Sequence, residues 1–216
     1  PDGDFPLGLL QMSSRCAIEP PEGLKAGLMR SYTTLVDQDR LERIDGAAEG
    51  TMWRKLLFVL CYLHSVVQER RKFGALGWCI PYEYNTFDAY ACMLFLEKHL
   101  YGGPISWPTV RYMICDVQYG GKITDSLDRR MFNYYATKWL TPDTLAEGYT
   151  MEPPKPIIKI PGNFHYVVHD YQNIDDYRKY CMSFPEIDSP ECLGLHPNAD
   201  LTYRMKSARA LLDIVA

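Results

Sequence analysis

The stretch WRKLLFVLCYLHSVVQERRKFGALGWCIPYEYN, residues 53–85, decides the fold of this 216-residue chain. Trp53, Leu56, Leu57, Leu60, Leu63, His64 and Val67 recur at three- and four-residue spacing, the stripe of one long α-helix. Phe58, Val59 and Cys61 fall off that stripe, so the first half of the helix is apolar on most sides and requires several neighbours to enclose it. Gln68, Glu69, Arg70, Arg71 and Lys72 form a charged last turn, where cations suit the carbonyl end of the helix dipole. Gly74 is then expected as a left-handed cap. The following loop carries Trp78, Tyr82 and Tyr84, with Phe73 at its edge, and this many rings are expected against the body of the fold.

Working outward, capping signals divide the rest of the chain into helices. Residues 1–20 are broken by Pro6, Gly8 and Pro20, with a brief strand expected over Arg15–Ile18. A helix is expected from Gly23 to Leu35, and Thr51 is the expected N-cap of the long helix. Asn85 and Asp88 have capping-box spacing and open a helix to about Leu100. Ser106, with Pro108 in the first turn, opens another that would bury Trp107, Val110, Ile114 and Val117 and stop at Gly120-Gly121. Asp125 and Asp128 repeat the capping spacing ahead of Leu127, Met131, Tyr134, Tyr135 and Trp139. The run MEPPKPIIKIPG, residues 151–162, is the clearest internal boundary, and its prolines confine Ile157–Ile160 to an edge strand at most. Ile174–Met182 reads as a helix. Asn198 caps a closing amphipathic helix with Leu201, Met205, Ala208, Leu211, Leu212 and Val215. The fold class is mainly α, multi-helical, with one or two short strands.

Composition narrows the function. At 47% hydrophobic and 23% charged the chain can bury a true core. A net charge of −4 is the wrong sign for a nucleic-acid binder. The longest apolar run, Leu56 to Leu63, falls far short of the roughly 20 residues of a membrane span. The seven cysteines have no regular spacing and sit mostly in helical stretches, as free thiols of a reducing compartment do. A chain opening on PDGDFPLGLLQ is expected to be a piece of something longer.

Motifs that carry chemistry are weak. Tyr119-Gly120-Gly121-Lys122-Ile123-Thr124 is a near miss to a phosphate-binding loop, but Asp116 stands where Gly is needed and Ile123 where a hydroxyl would hold magnesium. A helix stop and turn is the better reading. Cys61 with His64, and His165 with His169, have spacings that could share a helix face for a metal, yet neither pair has a second half. No nucleophile elbow is present. Arg70, Arg71 and Lys72, and Arg129 with Arg130, are kept as interface candidates, because arginine suits bidentate contact between modules. The plainer expectation is a cationic last turn for the first cluster and local pairing with Asp125 and Asp128 for the second.

Four ordered segments resemble the sixth AAA+ module of dynein heavy chains. These are residues 53–85; Glu19-Pro20-Pro21-Glu22-Gly23-Leu24-Lys25-Ala26-Gly27-Leu28, continuing Met29-Arg30-Ser31-Tyr32; Trp107 to Ile114 with Tyr119 to Asp125; and Gly194-Leu195-His196-Pro197-Asn198-Ala199-Asp200. Lys122 and Ser126 depart from the family's usual Arg and Asp. The region from Trp107 to Asp125 is most similar to outer-arm axonemal heavy chains.

The resemblance implies the helical small, or lid, subdomain over residues 21–198. Residues 1–20 would end the large subdomain, and residues 199–216 would be a helix leading to the C-terminal domain. It implies a non-catalytic, force-transmitting part of an ATP-driven, microtubule-based motor ring in the cytoskeleton of a cilium or flagellum. Its partners would be neighbouring AAA+ modules and the C-terminal domain. Microtubules and light or intermediate chains would be reached only through the full motor, with no nucleic acid and no membrane. No catalytic, cofactor or metal residue is expected here, ATP and magnesium belonging to the whole motor. A free-standing helical adaptor is the alternative, and a thiol- or metal-dependent enzyme ranks behind it.

Overall fold

A computed structural model describes residues 7–14, 22–44, 47–101, 104–151 and 164–215. Its α-helices are α1 (Leu7–Met12), α2 (Leu24–Thr34), α3 (Gln38–Leu41), α4 (Ala47–Arg70), α5 (Thr86–Tyr101), α6 (Trp107–Tyr112), α7 (Ser126–Trp139), α8 (Ile174–Met182) and α9 (Asn198–Val215). Strand pairing among the described residues is one antiparallel bridge, Thr150 with Val167. Met151 N–H donates to the Tyr166 carbonyl at 2.7 Å beside it, and Val168 N–H to that of Tyr149 at 2.8 Å. The expected strands at 15–18 and 157–160 lie outside the described residues.

Helix α4 is the axis of the fold. Every residue from Leu56 to Val67 is buried, because α2, α5, the turn Pro142–Leu145 and the turn Pro190–Leu193 pack around it. Each large apolar side chain enclosed there contributes about 1.5–3 kcal/mol. The helix begins a turn earlier than its sequence signal. Thr51 is therefore inside α4 rather than its cap, and its hydroxyl donates to Asp170 Oδ2 at 2.9 Å. Arg54 donates to the same carboxylate, joining α4 to the segment before α8.

Two other caps follow local chemistry, whereas Asn198, expected as a cap, is the first residue of α9. Asn85 Oδ1 accepts from Phe87 N–H at 3.0 Å while Asp88 Oδ2 accepts from Asn85 N–H at 2.8 Å, a reciprocal capping box. Asp125 caps α7 through Leu127 N–H and Asp128 N–H. Helix α2 starts at Gly23, which has no side chain to cap with. Two distant carboxylates do it instead, Glu69 accepting from Gly23 N–H at 2.7 Å and Asp188 from Leu24 N–H at 2.6 Å.

After α6 the backbone widens into a π-turn over Met113–Gln118, and Tyr119 N–H donates to the Ile114 carbonyl five residues back. The extra residue per turn rotates the side chains beyond it. Val117, expected inside, is 42% exposed, and Tyr119 is fully buried. The aromatic loop after α4 packs inward as expected, Trp78, Tyr82 and Tyr84 all being buried.

Candidate docking surface

The charged end of α4 is where the recognisable segments meet. Arg70, its last residue, is 2% exposed. Its guanidinium donates Nε and Nη2 to the Gly77 carbonyl at 3.1 and 2.8 Å, and Nη1 to Tyr135 Oη at 2.7 Å and to the Leu193 carbonyl. Tyr135 O–H donates to the same Leu193 carbonyl. The rings of Trp78 and Tyr135 lie 5.1 and 5.5 Å from the guanidinium carbon. Arg70 is thus an internal strut and not an interface group, which corrects the sequence expectation. The planar fork reaches acceptors in three separate segments at once, and the carbonyl end of α4 favours the charge.

The glycines here permit close approach. A Cβ on Gly77 would lie 1.8 Å from the Arg70 carbonyl oxygen, and one on Gly194, whose φ is 66°, would lie 2.6 Å from Tyr135 Oη. Gly74 has φ 58° and ψ −135°, outside the left-handed helical region, and stands inside the 3₁₀ segment Arg71–Leu76 rather than capping α4.

The remaining interface candidates are nearer the surface. Arg71 pairs with exposed Glu83 at 3.2 Å, and Lys72 is half-buried against Glu69. Arg129 and Arg130 are exposed, with Arg129 Nη2 donating to the Ile123 carbonyl at 2.8 Å. Their expected pairing with Asp125 and Asp128 is replaced. Asp125 is consumed as a cap, and buried Asp128 accepts Cys79 N–H at 3.0 Å and Ile80 N–H at 3.3 Å.

The Arg70 strut sets the base of α9 by holding Leu193 and the turn before it. On one side of α9, Tyr203 lies 5.7 Å from the Phe73 ring with Lys72 Nζ over its face at 5.6 Å, and Ala199 is buried. The opposite side of the helix is the row Leu201, Met205, Ala208 and Leu212, at i, i+4, i+7 and i+11. Leu201, Met205 and Leu212 are 62%, 61% and 68% exposed. The sequence marks these residues as an amphipathic stripe, and the stripe faces outward: α9 docks through Ala199 and Tyr203 in its first turns, and residues 204–213 beyond them are exposed.

The chemical candidates dissolve into structure. The Gly120–Lys122 segment is a 3₁₀ turn, and a Cβ on Gly120 would lie 1.8 Å from the Cys115 carbonyl oxygen. Lys122 donates to Asp88 Oδ2 at 2.7 Å and to the Glu83 carbonyl at 3.2 Å. His64 is buried with Nδ1 2.8 Å from Tyr119 Oη, and burial lowers its pKa to about 4, a neutral core histidine. Burial likewise pushes the Cys61 and Cys92 thiols far up and Cys115 and Cys181 up to about 12, which suppresses the reactive thiolates. His165 and His169 lie in extended chain, not on a helix. The cluster among the described residues with metal-ligand proximity is Cys79, Asp125 and Asp128, whose aspartates already hold the backbone donors named above.

A family model for the dynein heavy chain AAA lid domain matches residues 53–199. The chain is similar to dynein axonemal heavy chain 5 of Mus musculus, 43% identical over 215 residues, which are 98% of this chain and 4% of that protein. It is 39% identical over 219 residues to dynein axonemal heavy chain 8 of Homo sapiens, covering 100% of this chain and 4% of that one. Against the dynein gamma chain of the flagellar outer arm of Chlamydomonas reinhardtii it is 41% identical over 210 residues, 94% of this chain and 4% of the relative.

Proposed function

We propose that this chain, which belongs to the dynein heavy chain AAA lid domain family, is a non-catalytic, force-transmitting block of an axonemal motor ring. Its place would be the small subdomain of the sixth module, over residues 21–198, with residues 1–20 ending the large subdomain. Helix α9 would lead toward the C-terminal domain. The relatives are axonemal and flagellar heavy chains, and a ciliary or flagellar location is assigned to this chain by the same reading.

The observation that carries the proposal is the outward stripe of α9. A helix that spends one face on Phe73 and leaves Leu201, Met205 and Leu212 in solvent has apolar surface suited to a further partner. The block behind it is stiff. Arg70 ties the end of α4 to α7 and to the turn before α9, so a push on α9 is passed to the long central helix. Tied Lys122 and the crowded Gly120 support a fragment that does not bind nucleotide for itself.

Sedimentation tests the docking face. The chain is expected to self-associate through the stripe at micromolar concentration, and Leu201→Arg with Leu212→Arg to render it monomeric with an unchanged helical spectrum. Identical sedimentation of the two proteins would refute the assignment of the stripe.

A further inference from the structure

Beside the stripe lies a cavity of about 380 Å³, within the size range of ligand pockets. Phe164, Tyr166, Pro185 and Pro190 line its walls, Asp188 and Glu191 its buried part, and exposed Ile187 and Arg204 its mouth. Arg204 is not the cation for this interior, since on α9 it is paired with Asp200 at 2.8 Å.

The interior has more carboxylate than cation. Asp188 spends Oδ1 on the Tyr166 hydroxyl and Oδ2 on Leu24 N–H. Glu69, holding the neighbouring amide of Gly23, is matched by Lys72. Glu191 is 7% exposed, and its Oε2 has no hydrogen-bond partner. Buried carboxylates are ordinarily paired or fully hydrogen-bonded, so this one marks an unfilled requirement for a donor.

We infer that the cavity receives an arginine side chain presented by the protein surface that docks on α9. This inference rests on the docking role proposed above and gives that partner its chemistry. Proline and aromatic walls accept the aliphatic stem and the flat face of a guanidinium, and Glu191 accepts its N–H groups once the side chain turns to meet them. Two of the cavity's lining residues, Asp200 and Arg204, share α9 with the apolar stripe. A partner seated on the stripe therefore passes directly over the mouth.

The test is an amide NMR titration of the 216-residue chain with N-acetylarginine methylamide, with N-acetylcitrulline methylamide as the neutral isostere and calcium chloride as an inorganic cation. The arginine derivative is expected to produce saturable millimolar shifts at Glu191, Cys192 and Gly194, with citrulline at least tenfold weaker, the loss of one charge-assisted contact. Glu191→Gln should weaken arginine binding to a similar degree. The citrulline arm needs no variant and stands if Glu191→Gln misfolds. Equal response to arginine and citrulline, shifts driven only by calcium, or no saturable shift at these amides would each overturn the inference. Repeating the titration with Leu212→Arg, which breaks the stripe about two helical turns beyond the lining residue Arg204, should not weaken the arginine shifts, so a failure of the stripe as a docking face, read by sedimentation, and a failure of the pocket are read separately.

Discussion

Replacing Arg70 with methionine probes the joint on which the fold's rigidity turns. The guanidinium makes two donations to the Gly77 carbonyl and one each to Tyr135 Oη and the Leu193 carbonyl. Leu193 keeps the Tyr135 hydroxyl as a donor. Gly77 loses both side-chain donors, and one buried carbonyl left without them costs about 1–3 kcal/mol. Loss of the cation from the faces of Trp78 and Tyr135 adds roughly 0.5–2 kcal/mol. Methionine fills much of the space and carries no charge to desolvate, which offsets part of the loss. The expected net destabilisation is about 3 kcal/mol. Urea unfolding followed by tryptophan fluorescence reads it, since Trp53, Trp78 and Trp139 are all buried. With a slope of about 2–3 kcal/mol/M the midpoint should fall by about 1–1.5 M. Arg70→Lys should not restore stability, because one ammonium cannot span Gly77 and Leu193 together. A methionine variant within about 0.5 kcal/mol of the parent would refute the strut.

The His64 pKa lies near 4 in the folded protein, below the ordinary 6.5, because burial disfavours its charged form. Its contribution to stability is therefore complete above pH 6.5 and is lost as pH falls toward 4, about 3 kcal/mol in all. His64→Gln should flatten that part of the stability profile, and an unchanged slope would contradict it. Calorimetric titration of the chain with Mg-ATP should give no saturable heat, whereas micromolar binding would overturn the non-catalytic reading.

Much of the helical plan was legible in the residues because local chemistry sets it. Asn85 with Asp88 announced α5, Asp125 announced α7, and the apolar first half of α4 announced a helix enclosed by several neighbours. The features that stayed hidden depend on distant partners. Arg70 and Arg71 are adjacent and alike in sequence, yet one is buried and the other exposed. The placement of Gly77 and Leu193 separates them, through carbonyls that no side-chain pattern reports. Asp128 looked like a helix-surface carboxylate and proved to be a backbone acceptor for Cys79 and Ile80, residues brought near only by the folded aromatic loop. Val117 turned outward because a π-turn breaks the 3.6-residue period from which its burial was inferred. The stripe of α9 was readable as amphipathic, but which side meets the body is set by Tyr203 finding Phe73 and Lys72.

The proposed role requires that the outer side of α9 be covered in the working assembly. Met205→Cys, whose parent side chain is 61% exposed, places a thiol at the middle of the stripe, and Tyr203→Cys on the docked side is the control. Diluted below the concentration of self-association, the chain alone should be labelled by maleimide rapidly at position 205, and at least tenfold more slowly in a motor ring assembled with it, while position 203 reacts slowly in both. Equal labelling of position 205 in the two settings would contradict a docked α9.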